Sequence, residues 1–275
     1  MIRSTKRITI ITIYVILFLM LGGWIVSLFI PKPTCFDGIQ NQKEEGIDCG
    51  GPCNACVEEI TGKDLIVKDA RIVYGGENKY DVVAEIHNPN ALYGAKKVYY
   101  TVEIKDATGK TLDYRDGNTF VLPNENKYIM ELALETKQKP TNAKVTINDV
   151  DWVKFTEFVA PQIEVKNQRF GLVENGPSYA EAFGLVVNNS LYDFHNVNIY
   201  VILQDERGIP IAVNKTQMRT LDANSRRTFK LVWPHEFPGK IASSKMQAET
   251  NVFDSLNFMK KYLPSGKYQE FVESE

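Results

Sequence analysis

The chain has 275 residues, 44% hydrophobic and 24% charged, with a formal net charge of −2 and only four cysteines and three histidines. A pI near 6.0 and this balance of signs exclude the basic footprint that nucleic acid demands.

Arg3, Lys6 and Arg7 precede an uncharged apolar run from Ile8 to Ile30. At about 1.5 Å per residue the run spells a helix of roughly 35 Å, enough for a hydrocarbon core of about 30 Å. Thr9, Thr12 and Ser27 can return their hydroxyls to the helix backbone, and Pro31 and Pro33 stop it. A cleaved signal peptide has a shorter apolar region and a small-x-small site, neither of which is present. The run predicts a single uncleaved transmembrane helix over 8–30. The three basic residues predict a cytoplasmic N-terminus, 1–7, with the residues from about Pro31 onward extracytoplasmic.

The four cysteines, Cys35, Cys49, Cys53 and Cys56, all fall in 31–57, a segment rich in glycine and polar residues. A piece this short cannot bury a core and needs staples. Disulfides are the default outside the cytoplasm, and spacing does not choose among the three pairings. Zinc would want paired C-x-x-C knuckles, which are missing. Cys53-Asn54-Ala55-Cys56 has the spacing of a thiol-redox pair, but no βαβ setting follows it. Asp37, Asn41, Glu45 and Asp48 are hard oxygen ligands at three- or four-residue spacing, the chemistry of a calcium loop. The competing reading is a solvated acidic loop. The pattern of Cys35, Asp37, Gly38, Asn41, Glu44 (or Glu45), Gly46, Asp48, Cys49, Gly50, Gly51, Cys53 and Cys56 resembles a small C-x-D-G-x-x-N…D-C-G-G-x-C-x-x-C repeat of secreted and surface bacterial proteins. That resemblance implies a surface location and a spacer role, with no catalysis.

From about Glu58 the pattern changes to period two. Val98, Tyr100, Val102 and Ile104 alternate with polar residues, and the turn Asp106-Ala107-Thr108-Gly109 follows. About one hundred residues later Val197, Ile199, Val201 and Leu203 do the same before Asp205-Glu206-Arg207-Gly208, the mark of a duplication into two globular units. Asp81 to Asn88 matches Glu181 to Asn188, and Leu122 matches Leu221. Tyr128, Met130 and Leu132 match Phe229, Leu231 and Trp233. The prediction is a mainly β chain: two tandem immunoglobulin-like antiparallel β-sandwiches, over 58–155 and 156–251, behind the helix and the disulfide-rich segment. Trp152 and Trp233 are core candidates. The short join around Thr156 to Pro161 predicts units that touch or hinge narrowly. The tail, 252–275, carries a weak helix from Asp254 to Tyr262, with Leu256, Met259 and Leu263 on one face and frayed residues after Pro264.

Val201, Leu203 and Asp205 stand at the Phe, Leu and Asp places of the FxLYD motif, with Gln204 for its Tyr. Val102, Ile104 and Asp106 stand there in the first copy, with Lys105 for the Tyr. On these residues the two units resemble FxLYD domains. The resemblance implies surface-associated sandwiches and supplies no catalytic residues.

Little chemistry is written along the chain. His87, His195 and His235 are scattered, and no nucleophile elbow, phosphate loop or H-E-x-x-H occurs. The loops holding Asn90 and Tyr93, and Tyr192, Phe194 and His195, could contact a partner or cap the sandwich ends. The expected function is a non-enzymatic, membrane-anchored protein presenting two sandwiches to an envelope or surface protein. Its alternatives are a structural spacer or accessory subunit of a membrane machine, and a thiol-disulfide oxidoreductase through Cys53 and Cys56.

Overall fold

The computed structural model describes residues 3–29, 34–54, 56, 62–264 and 266–268. It divides into two compact units, 1–59 and 60–275.

In the first unit a single helix, α1, runs Arg3–Phe29. Thr12 donates its hydroxyl to the Ile8 carbonyl at 2.9 Å, as a hydroxyl in an apolar helix should. Among the described residues no helix is long and apolar enough to cross a membrane. The span expected over 8–30 thus finds no support among the described residues. Ile30 to Pro33, the expected stop, lie outside the described residues. The cysteines pair Cys35–Cys53 and Cys49–Cys56, and no cysteine is free.

The second unit is two sandwiches of identical topology. In the first, β1 (Ile66–Tyr74), β2 (Lys79–His87) and β5 (Asn126–Glu135) form one antiparallel sheet. β4 (Thr111–Val121), β3 (Tyr93–Lys105) and β6 (Asn142–Lys154) form the other. In the second, β7 (Ile163–Leu172), β8 (Ala180–Asn188) and β11 (Arg226–Trp233) repeat the first sheet. β10 (Pro210–Leu221), β9 (Phe194–Gln204) and β12 (Ser243–Thr250) repeat the second. The alternation read along β3 and β9 holds: Val98, Val102 and Ile104, and Val197, Val201 and Leu203, are all 0% exposed. Trp233 is buried and donates its indole N–H to the Val213 carbonyl at 3.0 Å. Trp152 packs half-buried at the margin of the first core.

The two sandwiches meet over a broad face. The outer side of β1–β2–β5 lies on the outer side of β10–β9–β12, and Val73, Val83, Met130, Tyr200, Ile202 and Val213 form a third apolar layer between them. This is sheet-on-sheet packing repeated between domains: of the two outcomes the short join predicts, touching or a narrow hinge, the sandwiches touch.

The three sequence matches along β5 shift by one residue. Register places Met130 opposite Val83 and Lys230 opposite Phe183. Val83 and Phe183 are equivalent, so Met130 corresponds to Lys230, one residue away from the apolar-to-apolar match. Tyr128, Met130 and Leu132 face the neighbouring sandwich, whereas Phe229, Leu231 and Trp233 fill their own core. In the tail, a 3-10 turn, Val252–Asp254, and helix α2, Leu256–Tyr262, are packed down. α2 buries Phe258, Met259 and Tyr262, while Leu256 is exposed. Phe258 joins Phe158, Tyr192 and Phe194 in an aromatic cluster. Of the residues after Pro264, expected to fray, 266–268 are described and Tyr268 packs against the core, while 265 and 269–275 lie outside the described residues.

Candidate functional site

The acidic loop of the disulfide segment is built from carboxylates facing amides. Asp37 accepts from the Thr34 and Ile39 N–H groups and from the Asn41 amide at 2.9–3.0 Å. The Thr34 bond leads in holding its carboxyl below the usual range. Asp48 accepts from the Asp37 and Gly38 N–H groups, and buried Glu44 from those of Asn41 and Asp48. Glu45 is exposed, and Asn41 leaves its buried Oδ1 without a partner. Among the described residues Asp37, Glu45 and Asp48 are not gathered into a ligand set. Cys35, Glu44 and Cys53 do converge within 4.8 Å, but the two sulfurs are bonded to each other and offer no thiolate. The carboxylates here staple a turn. Cys53 and Cys56 end in different bridges, so they are not a C-x-x-C redox pair.

The loops read as partner contacts or as sandwich caps mostly cap the sandwiches. Asn90 is buried, and its amide exchanges 2.8 Å hydrogen bonds with both backbone groups of Lys63. Phe194 is 1% exposed and cannot reach a partner's surface. Tyr192 lies half-buried on Phe258. Tyr93, half-buried, accepts the Asn88 amide at its carbonyl. His195 is exposed. Asn90 satisfies backbone groups and Phe194 fills the aromatic cluster, whereas Tyr93 and Tyr192 stay partly accessible and His195 fully so.

The chemistry gathers instead between the sandwiches. Lys127 Nζ lies 2.8 Å from Glu249 Oε1, with side-chain exposures of 0% and 3%. The ammonium also sits 3.6 Å from the centre of the Phe120 ring, a cation–π contact in a desolvated place. The ion-pair geometry leaves Lys127 Nζ without a well-aligned hydrogen bond among the described residues. Glu125 adds a second carboxyl. Burial, the largest cause, raises its pKa to about 7; Lys127 pulls it down and Glu249 pushes it up. Tyr100 donates its hydroxyl to Glu131 Oε1 at 2.7 Å. Burial first, then the neighbouring carboxylates Glu131 and Glu249, drive the Tyr100 and Tyr200 hydroxyls far above their ordinary range.

Beside this network opens a cleft of about 580 Å³ lined by both copies, among them Lys96, Lys97, Tyr128, Asn198, Lys215 and Gln217. Lys215 crosses it to the Met130 carbonyl and comes within 3.8 Å of Glu131. The cleft offers ammonium and amide groups, which can bind. The constellation was overlooked in the sequence because its members lie on different strands. The usable signal was Lys127 and Glu131, charged residues flanking Ile129 on the core-facing side of an apolar strand.

No protein family matches the chain, and no curated protein matches it. Two solved structures show weak likeness. Red sea bream transglutaminase is 11% identical with a TM-score of 0.22, over 70% of this chain and 29% of that one. The tandem CBM22-1–CBM22-2 domain of Paenibacillus barcinonensis Xyn10C is 11% identical with a TM-score of 0.15, over 69% of this chain and 87% of that one. The chain thus matches less than a third of the transglutaminase, and likenesses at these scores carry no argument about function.

Proposed function

We propose that this chain is a non-catalytic, single-pass membrane protein, with its N-terminus cytoplasmic, that presents a rigid pair of β-sandwiches to an envelope or surface protein outside the cell. The observation that carries this reading is the fused pair itself. An apolar layer and a buried ion pair lock the sandwiches together, and a stiff body with outward sheet faces and edge strands suits protein contact. The basic residues and apolar run of the N-terminal helix support tethering. The two disulfides support an oxidising compartment.

Three measurements test it. Protease added to intact cells should digest the sandwiches, and protection there with digestion only after lysis would invert the topology. Cross-linking in native membranes should recover one reproducible protein partner at the sandwiches. Exchange of the N-terminal helix for an unrelated apolar helix should preserve function; loss of function would favour the accessory-subunit reading, in which the helix makes the contact.

A further inference from the structure

The contact between the sandwiches uses two different faces: β1–β2–β5 of the first and β10–β9–β12 of the second. The repeat therefore leaves one equivalent of each uncovered. These are the outer face of β7–β8–β11, and the outer face of β4–β3–β6. The first holds a shallow groove of about 670 Å³ floored by Phe183 and Leu185, with Phe170 37% and Leu172 58% exposed at its rim.

Register then says what would meet what if the internal stack continued. Ile86 pairs with Lys127 and Val186 with Arg227, so Arg227 stands where Lys127 does. Asn198 pairs with Glu249 and Tyr99 with Asp149, so Asp149 stands where Glu249 does. Inside the chain Lys127 meets Glu249. In the continuation Arg227, whose guanidinium also donates to the Thr220 carbonyl, would meet Asp149. That encounter joins opposite charges, and both residues are exposed.

We propose that the β7–β8–β11 face docks on the β4–β3–β6 face of a second copy of this chain, continuing the internal stack head to tail. Thr101 and Glu103 stand where Tyr200 and Ile202 make apolar contact, so the external contact is more ionic than the internal one. It is correspondingly weaker and salt-dependent. Two unlike faces do not close on themselves, so association gives a ladder of species. This inference does not depend on the membrane reading.

The test is sedimentation of the full chain in detergent micelles across concentration and salt. The wild type should show a rising series of masses at low salt, with association weakened roughly tenfold or more at high salt. Arg227→Glu and Asp149→Arg should each abolish the series, because each sets like charges face to face. The double variant, and an equimolar mixture of the two single variants, should restore it. Unchanged melting of each variant shows that folding is intact. A wild type that stays monomeric at every concentration would overturn the proposal. So would an association indifferent to Asp149→Arg, which would mean two-fold pairing through β7–β8–β11 alone, or a mixture that fails to reassociate.

Discussion

Asn88 and Asn188 hold the same corner in the two sandwiches, each 0% exposed. The Asn88 amide donates to the Tyr93 and Leu122 carbonyls at 2.7 and 2.8 Å. The Asn188 amide donates to the Tyr192, Leu221 and Asp222 carbonyls. Each side-chain oxygen accepts the backbone N–H two residues on, from Asn90 and Ser190. One buried amide thus ties three chain segments at the same end of each copy. Removing it strands several carbonyls away from water. Asn88→Ala and Asn188→Ala should each cost about 2–4 kcal/mol in urea unfolding, against a few tenths for an exposed control such as Asn118→Ala.

The Lys127–Glu249 pair makes a different prediction. Lys127→Met leaves Glu249 buried without its cation and should cost about 3–5 kcal/mol. Lys127→Met combined with Glu249→Leu should recover most of that, because two apolar side chains need no partner. A double-mutant cycle in urea measures the coupling. A double variant no better than the lysine single would mean that the packing around Phe120 outweighs the charges.

Stability should peak on the acid side of neutrality. Burial raises Asp81 to about 6 and Glu125 to about 7, from 3.8 and 4.5. A carboxyl raised in the fold prefers its protonated form there. Its contribution is present at low pH and is lost as pH rises through the folded value. Each group should add of order 1–3 kcal/mol between about pH 8 and pH 4.5. Below about pH 4 the trend reverses, because hydrogen bonds hold Asp106 and Asp205 below their ordinary values and protonation forfeits them. The midpoint of thermal unfolding against pH checks both limbs. Asp81→Asn should flatten the upper limb.

Reduction should separate the two units. All four cysteines lie at Cys35, Cys49, Cys53 and Cys56, and none lies in the sandwiches. Strong reductant should open the disulfide segment to proteolysis, with a loss of about 2–4 kcal/mol per bridge there. The cooperative melt of the sandwiches should stay within a degree or so of its oxidised value. A large fall would show that the segment supports the sandwiches directly.

The sequence determined the duplication, the strand class and the two core stripes on β3 and β9, because period-two alternation with Asp-x-x-Gly turns specifies a half-buried strand locally. It also placed the staples, since four cysteines in a glycine-rich piece too small for a core must be cross-linked, but not their pairing. The face of β5 was decided only in three dimensions. Tyr128, Met130 and Leu132 look like the core residues Phe229, Leu231 and Trp233, yet they bury against the other sandwich, and a one-residue offset in a strand exchanges its two sides. Lys127 and Glu249, 122 positions apart, could not be matched from the chain alone. Pairing a cation with an acid inside a protein depends on which surfaces lose their water together, and only the stacked sheets settle that.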